Sequence, residues 1–203
     1  MFNLVIAGVG GQGGLTLSRI IADAAVRTGY SVRTGETLGM AQRGGSVLSF
    51  VRIGKAVRSP LFALRTADAL IGLEALEAVR ASTYVKPGGL ILVDPVMKDT
   101  LTTLTKRDVY PPLSGLMERL TATGGFVHSI PASAEASRLG NPKSANVLML
   151  GAFCAYVDIL PVSSVEESMV RVLGSRGAPA VKVFRKGIEI ARVNKGHPRQ
   201  VTR

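Results

Sequence analysis

Two glycine-rich segments carry the chemistry that the sequence offers most directly. The first is Gly8-Val9-Gly10-Gly11-Gln12-Gly13-Gly14, directly after the apolar run Phe2 to Gly8. A strand, a Gly-x-Gly-x-x-Gly turn and a helix together make an anion site. Gly8 permits a sharp turn, Gly10 lets backbone N–H groups approach an anion with no Cβ between, and the helix N-terminus adds unsatisfied donors. The second is Glu36-Thr37-Leu38-Gly39-Met40-Ala41-Gln42-Arg43-Gly44-Gly45-Ser46. It combines the donor fork of Arg43, the amide of Gln42 and the exposed backbone of Gly44 and Gly45, a set suited to phosphate or carboxylate. Each segment also has a plain structural reading: a tight turn for close helix–sheet packing, and a glycine turn with Arg43 in an ion pair.

Glu36 falls just after the expected second strand, near where a dinucleotide fold places its ribose-gripping acid, so an NAD(P)-binding reading stays open. The other half of a dehydrogenase is missing. His128 and His197 are the two histidines; the first falls in an expected strand and reads as structural, the second in a basic tail. The single cysteine, Cys154, excludes an internal disulfide and any cluster or zinc site built from this chain's own thiolates. It lies in an apolar helix and reads as a small core residue.

The elements that must position these segments alternate strand and helix. Strands are expected at Phe2 to Gly8, Tyr30 to Thr34, Ser46 to Ile53, Ala69 to Leu73, Leu90 to Asp94 and Phe126 to Ile130, with Lys86-Pro87-Gly88-Gly89 as a turn. Helices are expected at Leu15 to Thr28, Glu74 to Tyr84, Leu113 to Thr121 and Ala145 to Leu160. A further helix, Ser164 to Leu173, carries a Ser164/Glu167 capping box, and a last one has an apolar stripe of Val181, Phe184, Ile188 and Ala191. Residues 95–108 read as loop with some helix. The pattern implies a three-layer α/β/α sandwich around a mainly parallel, Rossmann-like sheet. The short gap between strands two and three permits an antiparallel pair, hence a mixed sheet.

The chain has 203 residues, 46% hydrophobic and 19% charged, which suits one domain with a single core. We expect that domain to span residues 1–196 and a basic tail to occupy 197–203. No apolar run has bilayer length, and Phe2 to Val9 lacks the flanks of a signal peptide, so a cytoplasmic chain with no membrane partner is expected. The net charge is +11. From Ser175 onward there are eight basic residues and one acid, Glu189. A solvated helix face, a docking surface for an acidic partner and a nucleic-acid site compete for that segment. Nucleic acid ranks last, because no recognised nucleic-acid motif appears anywhere in the chain.

The pairing of GVGGQG after strand one with GMAQRGGSV before strand three resembles the gamma-type subunit family of 2-oxoacid:ferredoxin oxidoreductases, most closely its indolepyruvate small-subunit branch. The similarity continues through Ser59-Pro60-Leu61, Ala67-Asp68-Ala69-Leu70, Leu73 to Ala78, Tyr84 to Asp94 and Asn146 to Gly151. The resemblance implies a subunit with no catalytic residue of its own and no metal. A large partner subunit would carry thiamine diphosphate and the Fe–S clusters, electrons would pass to ferredoxin, and CoA and a 2-oxoacid would be the substrates. It implies Gly8, Gly10, Gly11, Gln12, Gly13, Gln42, Arg43, Gly44 and Gly45 as the anion or CoA contacts.

Overall fold

A computed structural model describes residues 1–38, 45–98 and 109–195. β-Branched and leucine-rich runs form the strands β1 (Phe2–Val9), β2 (Ser31–Leu38), β3 (Ser46–Gly54), β4 (Ala67–Gly72), β5 (Val85–Val93) and β6 (Phe126–Ser129). They make one sheet in the order β2-β3-β1-β4-β5-β6. β3 is antiparallel to both of its neighbours, and the pairs β1–β4, β4–β5 and β5–β6 are parallel. The sheet is thus mixed, through a single reversed strand.

The helices are α1 (Gly14–Arg27), α2 (Ala75–Ala81), α3 (Leu113–Thr121), α4 (Ala132–Arg138), α5 (Ala145–Tyr156), α6 (Val162–Leu173) and α7 (Gly177–Lys195). One face of the sheet packs Leu4, Ile6, Val51 and Ile71 against α1, α5, α6 and α7. The other packs Val5, Phe50, Leu70 and Ile91 against α2 and α3, with Phe62 added from a loop and Tyr84 from the 3-10 turn after α2. Period-two alternation along β1 sends Leu4 and Ile6 to the first core and Val5 and Ala7 to the second, which is the three-layer sandwich.

α5 is buried nearly all round, from Asn146 to Phe153, because it lies between the sheet and α7. Contact with α7 is made through glycines. A Cβ at Gly151 would stand 1.9 Å from the Phe184 carbonyl oxygen, and one at Gly187 2.0 Å from that of Leu148. The expected apolar stripe of α7 is present, with Ala180, Val183 and Gly187 buried beside Phe184, Ile188 and Ala191. Cys154 packs at the rim of this core, and burial pushes its thiol up to about 12, so it stays protonated as a core residue does.

Four sequence expectations need correction. Lys86 to Gly89 do not precede β5 but interrupt it. Ala67 pairs Val85 and Ala69 pairs Leu90, so β5 carries a wide bulge that turns at Gly88 (φ 72°). α5 ends at Tyr156 instead of Leu160, since Val157 is extended and the chain must approach Pro161. α6 starts at Val162 after Pro161, with no side-chain cap, so Ser164 lies inside the first turn and the capping box is not formed. Glu36 lies within β2, opposite Ser49 of β3, not after the strand.

The α5–α7 crossing yields a stability prediction. Gly187→Ala forces a methyl against a carbonyl that neither helix can move alone, so it should cost about 3 kcal/mol, at the upper end of overpacking effects. Urea unfolding of wild type and variant measures it; an unchanged midpoint contradicts the contact.

Candidate functional site

The glycine loop sits where the carboxyl ends of β1 and β4 meet the first turn of α1. Gly13 caps α1 in the left-handed region (φ 83°) and offers no side-chain acceptor, so the first-turn donors have no side-chain partner. Gln12 works as a strut: its Oε1 accepts from the Val9 N–H at 2.7 Å, and its Nε2 donates to the Leu73 carbonyl at 2.7 Å. The amide named above as a ligand contact is therefore already engaged in joining β1 to β4. Gly8 serves close packing, since a Cβ there would meet Leu73 Cβ at 3.1 Å and Gln12 Oε1 at 2.9 Å.

The two glycine segments meet. The Gly10 N–H donates to the Gly45 carbonyl at 2.9 Å. Ser46, the next residue, donates its hydroxyl to Glu77 Oε2 at 2.5 Å, and Glu77 is buried and paired with Arg80. The root of the second segment is therefore tied to both β1 and α2. Gln42, Arg43 and Gly44 lie outside the described residues, as does His197.

A cavity of about 740 Å³ opens at this edge of the sheet, within the usual size of a small-molecule site. Gly11, Gln12, Gly13 and Thr16 form one wall, Asp94 and Ser133 line it from the ends of β5 and α4, and residues 141–147 with Ser175 and Arg176 close the far side. Its position at the carboxyl ends of the parallel strands, where the chain order reverses, is the ordinary ligand position of an open α/β sheet.

Electrostatically the cavity is asymmetric. Lys98, Lys143 and Arg176 stand exposed on its lining, and Lys143 and Arg176 make no ion pair among the described residues. Asp94 is buried and accepts from the Ser133 N–H at 2.9 Å and the Ser133 hydroxyl at 2.6 Å. Burial pushes its carboxyl above the ordinary aspartate value; the Ser133 bonds, the Val96 backbone and the charge of Lys98 oppose that rise. Asn146, buried at the start of α5, donates to the Gly13 carbonyl at 3.3 Å and accepts from the Val147 N–H, so α5 braces the glycine loop. Exposed cations facing backbone donors without side-chain caps suit a ligand with several negative charges.

Sequence reasoning missed Lys98, Asp94, Ser133, Lys143, Asn146 and Arg176. The one local signal was Asn146 opening a helix that is otherwise apolar. Glu36, by contrast, is removed from the cavity, because β3 stands between its strand and β1. His128 stacks on Tyr156 at 4.4 Å, with burial and Lys195 pulling its imidazole below the usual value; the contact fits its structural reading. Among the described residues no group of three or more His, Cys, Asp or Glu is placed to hold a metal ion, and no helix is long and apolar enough to cross a membrane.

A mixed sheet with a glycine loop facing a basic cavity defines an open α/β fold with a candidate anion site at the ends of its parallel strands. Residues 3–190 match the family described as pyruvate ferredoxin/flavodoxin oxidoreductase, and the chain belongs to that family. It is 38% identical over 177 residues to the indolepyruvate oxidoreductase subunit IorB of Archaeoglobus fulgidus, covering 86% of this chain and 87% of that protein. Its fold is shared with the gamma subunit of a keto/oxoacid ferredoxin oxidoreductase from Geobacter sulfurreducens (TM-score 0.70, 23% identity, 95% of this chain and 99% of the other). It is shared equally with a segment of the 2-oxoglutarate:ferredoxin oxidoreductase of Magnetococcus marinus, solved with 2-oxoglutarate, coenzyme A and succinyl-CoA (TM-score 0.72, 23% identity, 95% of this chain and 31% of the other).

Asp94 supplies a pH test. A carboxyl whose folded pKa is raised contributes most stability at low pH, and that contribution is lost as pH rises from the ordinary value of 3.8 through the folded one. Asp94→Asn, which keeps an acceptor for Ser133, should remove this pH dependence. Asp94→Ala should cost about 1–3 kcal/mol at every pH by stranding the Ser133 donors. Denaturant titrations of the three proteins across the acid range measure both effects; a wild-type slope that persists in Asp94→Asn rules the assignment out.

Proposed function

We propose that this chain is the small subunit of a heteromeric indolepyruvate-type 2-oxoacid:ferredoxin oxidoreductase that converts an arylpyruvate to its acyl-CoA in the cytoplasm. The observation that carries the reading is the 38% identity to an indolepyruvate oxidoreductase subunit over nearly the whole of both chains. The larger partner carries thiamine diphosphate and the Fe–S clusters, which supply decarboxylation and electron transfer to ferredoxin. One cysteine cannot supply a cluster's thiolates, so this chain's part is binding and assembly.

The donor set fits a phosphate-bearing cosubstrate such as CoA. Gly11 and Gly13 offer backbone donors, Lys98, Lys143 and Arg176 offer charge, and Gln12 and Asn146 hold the loop in shape, whereas the Gly10 N–H, expected as a contact, is spent on the Gly45 carbonyl. Gln42, Arg43, Gly44 and Gly45 are proposed as further contacts, and the Gly10–Gly45 bond supports this for Gly45. These residues bind and orient; none moves a proton or electron.

The test is reconstitution. Co-expression with a candidate large subunit should give a stable complex that oxidises indolepyruvate only in the presence of CoA. A large subunit fully active alone contradicts the proposal. Within an active complex, Arg176→Ala and Lys143→Ala should each raise the KM for CoA about tenfold with little change in kcat, the loss of one charge-assisted contact. Unchanged KM in both variants would remove the cavity from CoA binding.

A further inference from the structure

We propose that residues 55–66, with the edge strand β2, form the surface on which the larger subunit docks, and that the partner meets it with apolar side chains ringed by carboxylates. The inference rests on the heteromeric reading above and adds where the contact lies. On the sheet face that α2 and α3 cover at β4 and β5, the half made by β2 and β3 carries no helix among the described residues. A strap covers it instead. Pro60 rests on Gly35, where a Cβ would meet its Cγ at 2.9 Å, and Phe62 packs edge-on against Phe50 at 5.4 Å.

A strap cannot bury as much as a helix, and its outer side remains apolar. Leu61 is 57% and Leu64 59% exposed, with Ala63 exposed between them. Around them stand Arg33, Arg52, Lys55, Arg58 and Arg65, and no acidic residue occurs between Glu36 and Asp68. Arg33 and Arg52 sit directly opposite each other in the β2–β3 register, a like-charge pair that costs stability in the isolated chain. They bond to the Val32 and Leu61 carbonyls and to Met1 sulfur, and none of the five cations pairs with a carboxylate among the described residues.

The strap is also preorganised. Its Val57 N–H donates to Ser31 Oγ, its Leu61 carbonyl accepts from Arg52, and its Arg65 N–H donates to the Thr83 carbonyl while Arg65 is held at φ 60°. A non-glycine residue in the left-handed region is retained only where its surroundings over-determine it. An apolar centre with a charged rim is the anatomy of a protein interface. A second copy of this chain would set arginine against arginine, so the complement is a different and acidic protein surface.

The experiment uses the full chain and its co-expressed large subunit. Leu64→Asp should weaken the complex about a hundredfold, as loss of a central anchor does. The double variant Arg33→Glu, Arg58→Glu should slow association about tenfold and flatten its salt dependence. A control reversal on α7, Lys182→Glu with Arg192→Glu, should bind as wild type does, and each variant alone should melt no lower than wild type. Should a strap variant fail to fold, amide exchange of the wild-type chain must show residues 55–66 protected by the partner. Equal binding by strap variants and wild type, equal loss in the α7 control, or unaltered exchange would each overturn the proposal. So would binding of the free wild-type chain to RNA at physiological salt that the Arg33/Arg58 variant abolishes. A wild-type chain that forms no complex defeats the heteromeric reading itself.

Discussion

The arrangement of the whole molecule follows from the insertion of β3, reversed, between β1 and β2. Strands lie about 4.8 Å apart, so the insertion moves β2 about 10 Å from the glycine loop. A dinucleotide fold needs those two strands side by side, with the acid of one reaching the ligand on the other. That geometry is absent here. What the reversal supplies instead is a second glycine segment, whose Gly45 is delivered to the end of β1 and bonded there to Gly10.

The cavity then combines rigid backbone with adaptable charge. Gln12 joins the ends of two strands, and Asn146 links the loop to α5, the most buried helix of the fold. α5 is fixed in turn by its glycine-mediated crossing with α7, which begins beside Arg176. The cations are exposed, whereas the loop that carries the backbone donors is braced through Gln12 and Asn146. In the proposed binding, such a division places specificity in the backbone and attraction in the side chains.

Much of the fold was legible because it is written in local patterns. β1, β3, α1 and α3 follow from apolar runs ended by glycine, and the stripe on α7 follows from its helical period. The short gap between β2 and β3 even signalled a mixed sheet. The Lys86–Gly89 bulge was hidden because it is set by pairing with β4, a partner far away in sequence. Ser164 misled because Pro161 three residues earlier already starts the helix. Of the cavity, only the glycine wall could be read. Lys98, Asp94, Ser133, Lys143 and Arg176 come from the ends of four further elements, and no spacing along the chain relates them.

Glu74 has one more consequence. Its carboxylate caps α2 through the Glu77 N–H and also accepts from the Lys98 N–H and the Tyr110 hydroxyl, whose proton burial and that same carboxylate hold in place. Lys98 and Tyr110 are thus stapled together at a single buried acid. The cavity wall at Lys98 and the start of α2 therefore depend on one carboxylate, so that a change at Glu74 is felt in both places at once.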